Sequence, residues 1–293
     1  MKARTMFKLP PLLLHYYITY RCNCRCCFCD IWKLPQHQHH FADVADVEKN
    51  LQFARELGVK FVDFTGGEPL LHTDLPHFLL KAKQLGFRTS ITTNCLLYPK
   101  RAHALKGNID YLHFSLDALH ASSHDNLRGR PTFDRVMESL DIARQMGETP
   151  DLLFTVTPQT VRHIKPLALF AQRLRLMLIV NPVFAYGEME KAEPAFLKTL
   201  DAYRATPYVY VNTAFHTLRR SGGNQISAPR CRVVDSTIVI SPDNQQILPC
   251  YHFRHGAVDI GAIDAKNPLL ALRQTDVWKA FRNHQGRCAE CQG

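Results

Sequence analysis

The chain has 293 residues, 46% of them hydrophobic, enough for one large α/β core of ordinary size and a small appendage. No run of about 18 apolar residues occurs, so a transmembrane helix is not expected. The N-terminal apolar run lacks a small-residue cleavage site, so ten cysteines read as thiols of a reducing, cytoplasmic compartment rather than a secreted disulfide framework. The formal charge of +10 favours acidic partners such as nucleotides, phosphorylated sugars, acidic peptides or RNA, yet no basic block of five or more appears, so nucleic acid rests on charge alone and is not expected.

A strand-like run from Leu12 to Thr19 leads into Cys22-Asn23-Cys24-Arg25-Cys26-Cys27-Phe28-Cys29. Helical spacing follows at Val44, Val47, Leu51, Ala54 and Leu57, with Asp43 as N-cap and Gly58 as stop. A strand over 59–64 ends in Thr65-Gly66-Gly67-Glu68-Pro69, and a helix over 75–85 precedes a strand over 87–93 that ends in Asn94-Cys95. The unit repeats: strand 109–115, helix 133–146 behind Thr132, strand 152–157, helix 164–174 and strand 176–180. Strands alternating with helices argue for parallel βαβ units, and six strands are too few for a closed eight-stranded barrel. The expected fold is therefore α/β, an open (β/α)6 partial TIM barrel, with active residues at the strand C-termini.

A helix near 196–203 and the Gly-rich link Ser221-Gly222-Gly223-Asn224 come next, and the domain boundary is placed there, between 1–220 and 221–293. Beyond it, Thr237 to Cys250 reads as a β-hairpin with a Pro242-Asp243-Asn244 turn, and a helix near 277–281 leads to Cys288-Ala289-Glu290-Cys291. The His37-Gln38-His39-His40 cluster reads as a solvated loop.

Chemistry enters with the cysteines. Cys22, Cys26 and Cys29 form a C-x3-C-x2-C triplet, and soft thiolates select iron–sulfur clusters or zinc. Three ligands leave one corner of a four-iron cubane open to a small molecule. Zinc stays open as an alternative, since Cys24 with Cys27, or Cys26 with Cys29, also makes a C-x2-C pair.

The triplet, with Phe28 before its last cysteine, resembles the signature of the radical S-adenosylmethionine (SAM) superfamily. The resemblance implies that the open iron chelates SAM through its amino and carboxylate groups, and that reductive cleavage releases a 5′-deoxyadenosyl radical. It further implies the same (β/α)6 fold and a set of SAM contacts. Gly66-Gly67-Glu68-Pro69 resembles the element that bonds the SAM amino group; Ser115 and Asp117 match the position facing the ribose; Arg128 matches an arginine that pairs with the SAM carboxylate. Asn94 matches a family Thr-Asn-Gly, but Cys95 stands in place of the glycine. Cys95 itself reads as a small core residue, and Cys24 and Cys27 as spare loop thiols.

The C-terminal pattern Cys231, Cys250, Cys288 and Cys291 resembles the SPASM/twitch module, implying a single auxiliary 4Fe-4S cluster beside the barrel mouth; the same tetrad would also suit structural zinc. A cluster saturated by four thiolates has no iron for substrate, so its expected role is to accept an electron. The expected reaction is radical oxidation or modification of a small polar molecule, by an oxidoreductase fed from a low-potential flavodoxin or ferredoxin. Candidate bases are Tyr186, Glu188, Asp235 and His252, none singled out as catalytic. The alternatives are modification of a peptide side chain, disfavoured because no extra peptide-binding domain precedes the barrel, RNA modification, and a non-catalytic zinc protein.

Overall fold

The computed structural model describes residues 10–33, 40–183, 194–220, 232–250 and 254–282. The chain runs β1 (Leu13–Thr19), α1 (Val44–Glu56), β2 (Phe61–Gly66), α2 (Leu75–Gln84), β3 (Arg88–Thr93), α3 (Tyr98–Leu105), β4 (Tyr111–Ser115), α4 (Ala121–Arg128), α5 (Phe133–Gln145), β5 (Asp151–Val156), α6 (Ile164–Leu174) and β6 (Leu178–Pro182). It continues through α7 (Pro194–Asp201), β7 (Val209–Val211), α8 (Thr213–Arg220), α9 (Val233–Ser236), β8 (Thr237–Ile240), β9 (Gln245–Pro249), β10 (Arg254–Asp259), α10 (Pro268–Leu272) and α11 (Asp276–Arg282). The strands form one sheet in the order β10-β9-β8-β1-β2-β3-β4-β5-β6-β7, parallel from β8 to β7. This is the expected partial barrel, lengthened by a seventh strand, Val209–Val211, too short to stand out from periodicity.

Alternation along each strand builds the core. Leu14, Tyr16 and Ile18 of β1, Val62 and Phe64 of β2, and Leu112 and Phe114 of β4 are buried in one cluster with Leu51, Phe78 and Val136 from the helices. Burying each such side chain contributes about 1.5–3 kcal/mol. The residues between them, such as His15, Asp63, Ser90 and His113, point to the opposite, concave face and are only half-buried.

Caps fix where the helices begin. Asp43 accepts hydrogen bonds from the amides of Ala45 and Asp46 at the start of α1, as expected. Ahead of α5 the expected Thr132 makes no side-chain cap; instead Asp125, in α4, accepts from the amides of Thr132 and Phe133 at 2.8 and 2.9 Å.

The C-terminal hairpin forms, but not as a separate layer. Strand β8 pairs in parallel with β1, Leu13 opposite Thr237 and Tyr16 opposite Ile240, so the hairpin continues the barrel sheet. Two asparagines clasp it to α1. Asn50 donates to the Tyr16 hydroxyl at 3.0 Å and to Asn244 in the hairpin turn at 2.8 Å. Asn267 donates to the Phe53 carbonyl and to Glu56, and its Oδ1 caps α10 by accepting from the Leu270 amide. Removing a cap of this kind costs about 1 kcal/mol, up to 2. Asn267→Ala is therefore expected to lower stability by about 2 kcal/mol, read as a shifted guanidinium midpoint at unchanged slope.

Candidate functional site

The cysteine loop leaves the C-terminal end of β1 and is fixed by backbone from two sides. On one side the Gly67 amide donates to Thr19 O at 3.0 Å and the Glu68 amide to Arg21 O at 2.8 Å. Here the two glycines are required: a Cβ on Gly66 would lie 1.9 Å from Thr19 O, and one on Gly67 2.2 Å from Arg21 O. The space a side chain would fill is taken by the loop's own backbone. On the other side the loop amides of Arg25 and Cys27 donate to Arg128 O and Leu127 O, both at 3.0 Å. The α4 helix stops there at Gly129, φ +65°, whose Cβ would strike Arg25 O at 2.4 Å.

Within this frame the expected cluster ligands stand near one another: Cys22 and Cys29 both act to raise the Cys26 thiol, and Cys22 acts to raise Cys29. Burial, with Cys22 and Cys29 nearby, pushes the Cys26 thiol up to about 11 against the pull of Arg128. Cys22 is raised by its side-chain hydrogen bond with Cys24 and by burial, and Cys29 by burial. The Cys24 amide donates to Cys22 Sγ at 3.4 Å, and Trp32 Nε1 to Cys26 O at 3.2 Å. Cys24 is buried and Cys27 exposed. A cavity of about 450 Å³ opens beside Cys22, Cys24, Arg25, Trp32 and Lys33. Three soft donors on a fixed loop fit an iron–sulfur cluster.

Arg128 lies against Cys26, with Nη1 3.8 Å from its Sγ, and over the Phe28 ring at 5.3 Å. Its Nε donates to Asp117 Oδ2 at 2.6 Å in a fully buried pair. Burial alone would lower the arginine pKa; Asp117 and the nearby thiols more than offset this and raise it. The second Asp117 oxygen accepts the Thr155 amide at 3.0 Å, and the side chain is 0% exposed. Both Asp117 oxygens thus accept hydrogen bonds from within the protein, one of them from the guanidinium. Ser115 is buried at the end of β4, two residues before it.

Glu68 also turns inward. Its carboxylate, 2% exposed, accepts the Leu70 amide, the Thr93 hydroxyl and the Asn94 amide at 2.8–3.0 Å, while Pro69 opens a 3-10 turn. The expected contact of this motif with the SAM amino group would then fall to backbone. Burial pushes the Glu68 carboxyl up to about 7 against those three donors. In Glu68→Gln an amide NH2 would meet one of the donors, whereas even a protonated carboxyl keeps an oxygen there. The expected loss is about 1–3 kcal/mol, the cost of an unpaired buried donor, and thermal melting of the iron-free protein measures it.

Asn94 donates to Asn23 in the cysteine loop at 2.7 Å and accepts the Leu96 amide. Cys95, where the family pattern has glycine, keeps the left-handed backbone at φ 69° and is buried, as expected of a core residue.

Of the remaining candidates, Cys231, Cys288, Cys291, Tyr186, Glu188 and His252 lie outside the described residues, as do His37, Gln38 and His39. Cys250 is buried, but the antiparallel β9 carries it toward the end where β1 begins. By register it is about 20 Å along the strands from the cysteine loop. Asp235 precedes β8 at that same end, and its carboxylate accepts Arg282 Nε at 2.9 Å. Sequence reasoning missed two pairs on the concave face, His15 with Asp63 and His113 with Asp151, each 3.1 Å apart. The period-2 polarity of their strands was the available signal.

The family model described as the radical SAM superfamily matches residues 16–171, just over half the chain. The probable GTP 3′,8-cyclase of Saccharolobus solfataricus is 33% identical over 139 residues, 47% of this chain and 45% of that protein, so the chain spans under half the length of this relative. The fold resembles that of Streptococcus suis SuiB bound to its precursor peptide SuiA, with a TM-score of 0.75 at 22% identity over 93% of this chain and 66% of SuiB. It also resembles anSMEcpe with bound AdoMet, with a TM-score of 0.66 at 18% identity over 92% and 83% of the two chains. The chain belongs to the radical SAM superfamily, and its cofactors are SAM and a 4Fe-4S cluster.

Proposed function

We propose that the chain removes a hydrogen atom from a polar substrate held against the concave face of its sheet. A second iron–sulfur cluster on Cys250, with Cys231, Cys288 and Cys291, would take up the substrate electron, and a low-potential flavodoxin or ferredoxin would supply the reducing one. The observation that carries this reading is the loop holding Cys22, Cys26 and Cys29, whose backbone is pinned on both sides by the protein alone. When bound, the cluster and SAM supply a 5′-deoxyadenosyl radical.

The chain's own residues bind and orient. Three thiolates would hold three irons and leave the fourth for SAM. Arg128, its Nε committed to Asp117, its Nη1 near Cys26 and its plane over Phe28, would turn its remaining N–H groups to the SAM carboxylate. The backbone of Gly66 and Gly67 would receive the SAM amino group, and Asn94 and Ser115 the adenosyl half. Glu68 and Pro69 would contribute by holding that loop in shape.

The test is anaerobic reconstitution with iron and sulfide, then SAM and dithionite. 5′-Deoxyadenosine is expected, and its absence from protein carrying a full cluster counts against the reading; zinc in place of iron after anaerobic purification would do the same. The fold likeness to SuiB, which is bound there to a precursor peptide, makes a peptide side chain the second reading. Faster 5′-deoxyadenosine release with peptides than with small polar molecules would favour it.

A further inference from the structure

We infer that the concave face of the sheet is built for a ligand rich in hydroxyl or ammonium donors, anchored by His15–Asp63 and His113–Asp151, and not for a polyphosphate. This rests on the radical reading above and specifies its substrate.

The register puts both pairs on one wall. His15 stands opposite Asp63 across β1 and β2, and His113 opposite Asp151 across β4 and β5. Asp63 is level with Ser90, and Ser90 with Tyr111, so His113 sits two residues further toward the strand C-termini. That is about 7 Å nearer the end where the cysteine loop and Ser115 lie. Neighbours in register add hydroxyls: Ser90 beside Asp63, and Thr92 beside His113.

Two features give this wall its preference. The first is a set of part-exposed carboxylates. The side chains of Asp63 and Asp151 are 15% and 28% exposed beside His15 and His113, while Asp63 Oδ1 is itself buried with no hydrogen-bond partner and out of a ligand's reach. A hydroxyl or ammonium group would be drawn to these carboxylates; a phosphate oxygen would be repelled. His113 Nδ1 is likewise buried without a well-aligned hydrogen bond, although it lies 3.1 Å from Asp151.

The second feature is the sign of the charges. Among the described strand residues of β1 to β7, the one lysine or arginine is Arg88, 65% exposed at the rim and held by Asp110 at 2.9 Å. Arg128, deeper at the mouth, is paired with Asp117. Carboxylates facing a triphosphate without cations between them act as a repulsive element. Among the described strand residues, the +10 charge of the whole chain is therefore not carried on this face.

The probes are glucosamine, myo-inositol and GTP, titrated anaerobically by calorimetry into reconstituted holoenzyme with SAM and no reductant. Glucosamine is expected to bind, with Asp63→Asn and His113→Gln each weakening it at least tenfold, and GTP is expected to give no saturable heat. Thr92→Val, which removes a neighbouring hydroxyl and leaves both pairs in place, should weaken it less. The inference is overturned if wild-type protein binds neither glucosamine nor myo-inositol, if GTP binds more tightly than either, or if both variants bind glucosamine like wild type. Binding is read without turnover. A holoenzyme that binds glucosamine but yields no 5′-deoxyadenosine would sink the radical reading and leave this one standing.

Discussion

Arg128→Ala is expected to lower the stability of the iron-free protein by about 3–5 kcal/mol, the usual cost of leaving one member of a buried ion pair alone. Asp117 has 0% side-chain exposure, and with the arginine gone the Thr155 amide is the one hydrogen-bond donor left to its carboxylate among the described residues. Truncation also removes the guanidinium stacked on Phe28 at 5.3 Å and near Cys26. Because the loss is mainly that of an orphaned charge, the double variant Arg128→Leu with Asp117→Leu should recover at least half of it, a coupling a double-mutant cycle measures directly. Arg128→Lys separates stability from cofactor binding. It keeps the charge but loses the planar fork, so it should fold better than Arg128→Ala while still binding SAM weakly. A cost below about 1 kcal/mol for Arg128→Ala would mean that Asp117 is neutral or rehydrated, and the reading of a buried charged pair would fail.

How much of this could be read from the residues depends on what kind of signal each element carries. The first six strands and helices α1, α2, α5 and α6 declare themselves by apolar periodicity, and α6 falls over 164–174 as expected. Helix α4 does not. Its sequence Ala-Ser-Ser-His-Asp-Asn-Leu-Arg is polar, and its buried residues are His124 and Arg128, one turn apart, so a hydrophobic pattern never forms. Helix α3 went unread although Pro99 lies in its first turn and Tyr98, Ala102 and Leu105 are buried at helical spacing, because eight residues offer only about two turns of pattern. The motif residues were legible as types, but their tasks were not. Glu68 and Asp117 both look like ligand contacts in sequence, and both spend their oxygens on the fold, because only the register reveals which backbone amides come to face them. The concave pairs were invisible for the same reason: His15 and Asp63 are 48 positions apart, and nothing local states that they stand side by side.

Single replacements of Cys22, Cys26 or Cys29 by alanine are each expected to remove iron and abolish 5′-deoxyadenosine formation as completely as the triple variant does. Ligands of one cluster act as a unit, so their losses do not add. Cys24→Ala and Cys27→Ala should keep both iron and activity, since the Cys24 amide that donates to Cys22 survives the change and Cys27 is exposed. A C-x2-C metal site using Cys24 and Cys27 would give the reverse pattern. Folding provides the second readout. The loop is held by the Gly67 and Glu68 amides on one side and by Arg128 O and Leu127 O on the other, none of which a cysteine substitution removes. The iron-free variants should therefore melt close to the iron-free parent, with Cys26→Ala costing no more than the small cavity of one buried thiol, about 1 kcal/mol. Loss of iron together with collapse of the melting transition would show instead that the loop takes its shape from the cluster, contrary to the backbone clamps that hold it here.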